Sequence, residues 1–249
     1  MNSATLSLIV LACVFGGGLL GVFLQRVLPD HHLSAKSENV VKLLTGLVGT
    51  MAALVLGLLV ASAKGSYDAQ SAELTQLAAD VAFLDRILAH YGAETKETRA
   101  VLRPAVIQFI DQMWSKDAAP GLTPQFATEE IVYEKLQALS PKDDRQRSLQ
   151  SHAIRIVFDL GKTRWLMYEQ GTKSVSLPLL IVLVLWLTAI FVSFGLFAPF
   201  NGTVVSSLFI AALAVSGAIF LILEMYAPYG GMIQVSDAPL RAVLLHLGQ

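Results

Sequence analysis

The sequence predicts an all-α, polytopic membrane protein with four transmembrane helices and a helical region between the second and third. Three observations carry that prediction. Of the 249 residues, 54% are hydrophobic and 15% are charged, against about 25% charged in soluble domains. Four apolar runs, Thr5–Leu28, Leu43–Ala63, Leu177–Phe197 and Thr203–Leu223, each approach the ~20 residues a helix needs to cross the hydrocarbon. The polar stretch between the hairpins shows helical spacing throughout and no β-type alternation.

The first run is read as a membrane helix and not as a leader. No Lys or Arg precedes it and its apolar core is long for a signal sequence. Gly16, Gly17 and Gly18 lie inside it, and Gly17 with Gly21 makes a small-xxx-small pair suited to helix packing.

The second run is the most patterned. Gly49, Ala53, Gly57 and Ala61 recur at every fourth position and form a stripe of small residues for helix packing. Thr50, Leu54, Leu58 and Ser62 form the adjacent stripe, apolar in the middle and hydroxylated at the ends, and are the candidate pore-lining residues. No proline stops this run. It passes Lys64 into Leu74, Leu77, Val81, Leu84 and Leu88, a heptad-like seam that carries the helix beyond the bilayer.

Four regions follow: a first hairpin over 1–64, a helical region over 65–176, a second hairpin over 177–226 and a tail over 227–249. In the second region, Leu102, Val106, Phe109 and Met113 mark one helix, with Pro104 placed near its first turn. Thr128 to Leu139 gives a short helix between Pro120, Pro124 and Pro141. Leu149, Ala153, Ile156, Leu160, Thr163 and Met167 give a long returning seam. Asp143 and Asp144 suit the start of that helix, and Asn201-Gly202-Thr203 is read as a helix start.

Four crossings put both termini and the central region on one side. The first connection carries Lys36 and Lys42 with Arg26 at its edge, and the second connection carries no base. Lys64, Arg155, Lys162, Arg164, Lys173 and Arg241 flank the spans on the other side. This balance favours cytoplasmic termini and a cytoplasmic central region in an inner (plasma) membrane.

The net charge of −1 speaks against a nucleic-acid partner. A single cysteine, Cys13, excludes an intrachain disulfide. Asp30, His31 and His32 are read as a solvated loop rather than a metal site, and the other histidines, His90, His152 and His246, are scattered. No metal, nucleotide or nucleophile motif occurs, so no cofactor and no enzymatic activity are expected. Arg86 and Arg164 are assigned to a polar network inside the helical region, with Arg164 either stacking on an aromatic neighbour of the Trp165 kind or pairing with an acid such as Asp85. Glu224 ends the fourth apolar run in FLILEMYAPYGG. An acid at that depth is a functional candidate by default, to bind a cation or set the field at a pore mouth, weighed against a hydrated place in an interfacial belt with Tyr226 and Tyr229 and, between the two, a structural ion pair with a basic group.

The segments GLVGTMAALVLGLLVASAKGSYD, LDRILAHYG, ALSP, TRWLMYEQ, SFGLFAPFN, IFLILE and VSDAPLRAVLLHLG resemble a bacterial family of bestrophin-like membrane proteins of unknown function. The resemblance spans essentially the whole chain. It extends, more distantly, to bestrophins, which are homopentameric anion channels with four membrane helices, cytoplasmic termini and a helical region between the second and third. The resemblance implies a homo-oligomer, pentameric, passing small inorganic ions, chloride among them, through an axial pore. Setting the bestrophin Leu-Gly pair on Leu56–Gly57 places the hydrophobic neck on Thr50, Leu54 and Leu58. Bestrophins carry aromatics where this chain has Leu54 and Leu58, and a proline where it has Met51. Their calcium clasp has no matching segment, and Tyr226 stands where the bestrophin-like family has an acid after the fourth-helix glutamate. The competing reading is a non-conducting membrane scaffold or signalling protein whose small-residue stripe serves packing alone.

Overall fold

The computed structural model describes residues 2–29, 34–114, 127–171 and 175–248. Asp30, His31, His32, Pro120, Pro124 and Lys173 lie outside these residues. The helices are α1 (Ser3–Val27), α2 (Ala35–Tyr91), α3 (Lys96–Trp114), α4 (Ala127–Gln137), α5 (Asp144–Gly171), α6 (Leu177–Phe197), α7 (Gly202–Met225) and α8 (Ala238–Leu244). Among the described residues there is no strand. Helices α1, α2, α6 and α7 are long and apolar enough to cross a membrane.

Two compact units divide the chain, residues 1–65 with 174–226 and residues 66–173 with 227–249. In the first unit α1 packs on α6 and α7. The core holds Val10, Val14, Val22, Leu183, Ala212 and Ile219. Lipid chains are as apolar as leucine, so burial alone does not drive such helices together. Close backbone approach and hydroxyl bonds do. Ser216 Oγ donates to the Ser7 carbonyl at 2.6 Å, tying α7 to α1. Thr45 Oγ1 donates to Ser193 Oγ at 2.9 Å, tying α2 to α6. Asn201 caps α7 by accepting from the Val204 N–H at 2.8 Å, so the NGT sequence is a helix start. At the end of α1, the Arg26 guanidinium lies 4.4 Å from the centroid of the Phe200 ring.

The second unit is a soluble-type helical core. Leu74, Leu77, Val81, Leu84 and Leu88 of α2 are all buried, as the heptad seam predicts. They meet Leu102, Val106 and Phe109 of α3, Leu136 of α4 and Val157 and Leu160 of α5. The α5 seam differs slightly from the sequence reading: Val157 is 4% exposed, and Ile156 sits at the edge of the core. Ala153, Leu160 and Met167 are buried where the seam puts them, so the difference is confined to which of two adjacent residues, 156 or 157, faces further inward. Asp143 Oδ1 accepts from the Gln146 N–H at 2.7 Å and so starts α5.

Pro104 lies well inside α3, which begins at Lys96. It removes one backbone bond, to the Ala100 carbonyl, and Ala100 is exposed to water.

The residues after α7 fold into the second unit. Trp114 Nε1 donates to the Val235 carbonyl at 2.9 Å, and Arg103 Nη1 donates to the Leu244 carbonyl at 2.8 Å. Leu240 is fully buried. Asp85 is held by Arg99 through two bonds of 2.8 and 2.9 Å and accepts from the Gly248 N–H at 3.3 Å. Its partner is therefore Arg99, not Arg164. The Arg164 guanidinium lies 5.2 Å from the Phe109 ring centroid. Arg86 is exposed.

Candidate functional site

Within the first unit, one face of α2 is packed and the others are open. Ala52, Leu59 and Ala63 are 2%, 5% and 0% exposed and join the core of that unit. These positions, 52, 59 and 63, recur at helical spacing and define the buried edge.

The candidate pore-lining row lies away from that edge. Leu54 and Leu58 are 67% and 62% exposed, and Thr50 and Ser62 are exposed as well. The hydroxyls at the two ends of the row are engaged locally. Thr50 Oγ1 donates to the Leu47 carbonyl at 2.7 Å, and Ser62 Oγ shares a hydrogen bond of 2.9 Å with the Tyr226 hydroxyl. The middle of the row is thus purely aliphatic. Two leucines one turn apart, repeated around an axis, would form a dewetting constriction.

The small-residue stripe is open too. A Cβ added at Gly49 or Gly57 meets nothing within 4 Å, and Ala53 and Ala61 are exposed. Inside one chain this stripe has no helix to receive. Alongside it, α2 and α6 border a groove of about 470 Å³ lined by Thr45, Gly46, Gly49, Ser193 and Phe194, with Lys42 at its rim. Lys42 is bound to Glu38, one turn earlier on α2.

Glu224 is 5% exposed, in the last turn of α7. The interfacial, hydrated reading of this acid does not describe it within the chain, because the residue is buried. The Tyr226 hydroxyl, two residues on, shares its hydrogen bond with Ser62 of α2. Among the described residues no group of three His, Cys, Asp or Glu could hold a metal ion.

Sequence reasoning missed one structural position, Gly195 on α6. A Cβ there would collide with the Gly18 carbonyl oxygen of α1, and one at Gly21 would collide with the Val192 carbonyl oxygen of α6. The signal was present as a lone glycine in an apolar run opposite a glycine-rich one.

No curated protein and no solved structure matches the chain. A family model described as Bestrophin-like domain matches residues 12–240, which include α1 from Ala12 onward, the other three membrane-capable helices and the helical region between them. On that match the chain belongs to the Bestrophin-like family of membrane proteins.

Proposed function

We propose that the chain assembles as a homo-oligomer in the bacterial inner membrane, five copies by resemblance, and conducts small inorganic anions along the symmetry axis. Thr50, Leu54, Leu58 and Ser62 of α2 line the pathway, with Leu54 and Leu58 as its hydrophobic constriction. Gly49, Ala53, Gly57 and Ala61 receive a helix of the neighbouring copy. Both termini and the helical region between the second and third spans face the cytoplasm. Permeation is the activity, with no bond made or broken.

One observation carries this reading: α2 buries Ala52, Leu59 and Ala63 in its own unit while Leu54 and Leu58 stand open beside them. A helix that belonged only to its own chain would have no use for a glycine stripe facing outward. Glu224, buried at the end of α7, stands near one end of the row through the Tyr226–Ser62 bond.

The test is the mass of the complex in lipid nanodiscs, together with planar-bilayer recording of the same preparation. The reading expects a closed ring of copies, a wild-type current, and a larger current in Leu58→Ala. A monomer, or silence in both proteins, favours the scaffold reading and overturns this one.

A further inference from the structure

Among the described residues the second unit buries four side-chain oxygens that have no hydrogen-bond partner, the Tyr91 hydroxyl at the far end of α2 and three others. Gln70 of α2 is 1% exposed. Its Nε2 donates to Ser66 Oγ at 3.4 Å, and its Oε1 has no partner. One turn further, Glu73 Oε1 accepts from Gln170 Nε2 of α5 at 2.7 Å, while Glu73 Oε2 is buried without a partner. The third is the hydroxyl of Tyr229, in the segment after α7. The Tyr229 ring stands edge-on to Trp114 with centroids 5.5 Å apart. A buried group left in this condition costs about 1–3 kcal/mol, so three together require an explanation.

Gln70 and Glu73 lie one turn apart on α2, the charge of Glu73 acts on Tyr229, and the one O–H among them cannot serve both acceptors. Burial first, and the charge of Glu73 second, push the Tyr229 phenol well above its ordinary range, so it stays protonated. Gln70 Oε1 and Glu73 Oε2 only accept, and Tyr229 brings one O–H. The set is short of donors and carries a negative charge.

We propose that Gln70 Oε1, Glu73 Oε2 and the Tyr229 hydroxyl oxygen bind one small monovalent cation, Na⁺ or K⁺. The ion ties α2 to the segment after α7. A hard cation takes oxygen ligands. The single carboxylate here suits one positive charge, and a divalent ion would be served by more carboxylates than the site holds. Entry is open, because Glu73 as a whole is only half-buried. The site is independent of the pathway reading and would stand if the protein did not conduct.

The experiment is thermal unfolding of the full chain in detergent, followed by Trp fluorescence, at fixed ionic strength. Na⁺ and K⁺ are each titrated against choline. Trp114 lies on Tyr229 and reports locally. The expected result is a midpoint several degrees higher in Na⁺ or K⁺ than in choline, saturating with concentration, and a flat response in Glu73→Gln. Identical midpoints in all three salts would mean that water alone fills the site and would overturn the proposal. So would a cation dependence that survives in both Glu73→Gln and Gln70→Leu. The wild-type titration stands even if a variant fails to fold.

Discussion

On α1, Gly17 and Gly21 face α6 so closely that the missing side chains are what allow the contact. A Cβ at Gly17 would lie 2.8 Å from Thr188 Cγ2, and those at Gly21 and Gly195 would strike backbone oxygens of the facing helix. On α2, Gly49 and Gly57 have the same spacing logic, yet a Cβ there touches nothing. The two stripes read alike in sequence and differ in what receives them. Small residues mark where a backbone approaches closely. When the chain itself supplies no approaching backbone, the partner has to come from outside it. The α1 stripe therefore belongs to the fold, and the α2 stripe belongs to the proposed assembly.

Substitutions can separate these two roles. The largest effect is expected at Gly195→Leu or Gly21→Val. Overpacking a tight core commonly costs about 1–3 kcal/mol, and a clash with backbone cannot be relieved by a rotamer change, so these variants should fail to give a folded monomer in detergent by size-exclusion chromatography. Gly57→Val should leave the folded chain intact and lower the assembled fraction measured by native mass spectrometry. A folded Gly21→Val, or an unchanged assembly in Gly57→Val, would erase the distinction between the stripes.

Ser216→Ala is expected to have a smaller effect. It removes the bond to the Ser7 carbonyl, and interhelical bonds in membranes are worth about 0.6 kcal/mol on average and up to about 1.7. A modest fall in the unfolding midpoint, with assembly preserved, is the expected outcome. Smaller still is a pH effect in the second unit. Lys142 hydrogen-bonds Glu94 at 2.6 Å and holds its carboxyl below the usual range. A lowered acid stabilises the fold above its unfolded value and loses that contribution as pH falls through the folded one. Wild type should therefore lose slightly more stability than Lys142→Ala between neutral pH and the range below the ordinary glutamate value. The pair is exposed, and exposed pairs contribute little.

Much of this architecture was legible because it rests on local pattern. The apolar runs locate the spans. The heptad seam through Leu74 to Leu88 follows from periodicity, with no proline to interrupt it. What failed was long-range or depended on a turn. Asp85 meets Arg99 because Gly92, at φ 137°, lets the chain fold back before α3, bringing the start of α3 alongside the end of α2. Spacing alone did not distinguish Arg99 from Arg164. The docking of α8 was also hidden, since a seven-residue helix shows little periodicity and its anchors, Arg103 and Trp114, lie far away in sequence. On α2 the two stripes were visible, but which edge the chain itself buries was not. Ala52, Leu59 and Ala63 are no more apolar than their neighbours, and membership of the first unit's core, which brings together residues distant in sequence, selects them.

The central claim is that the open row on α2 faces a conducting axis. It is tested most directly by recording current from Leu58→Cys in planar bilayers during addition of a membrane-impermeant thiol reagent. Cys13 is exposed and is first replaced by Ser in all proteins. Leu185→Cys serves as the control, because Leu185 is 62% exposed but lies on α6. The account predicts a current that the reagent reduces in Leu58→Cys and leaves unchanged in Leu185→Cys. A current indifferent to modification at position 58, or no current in any of the proteins, would contradict it.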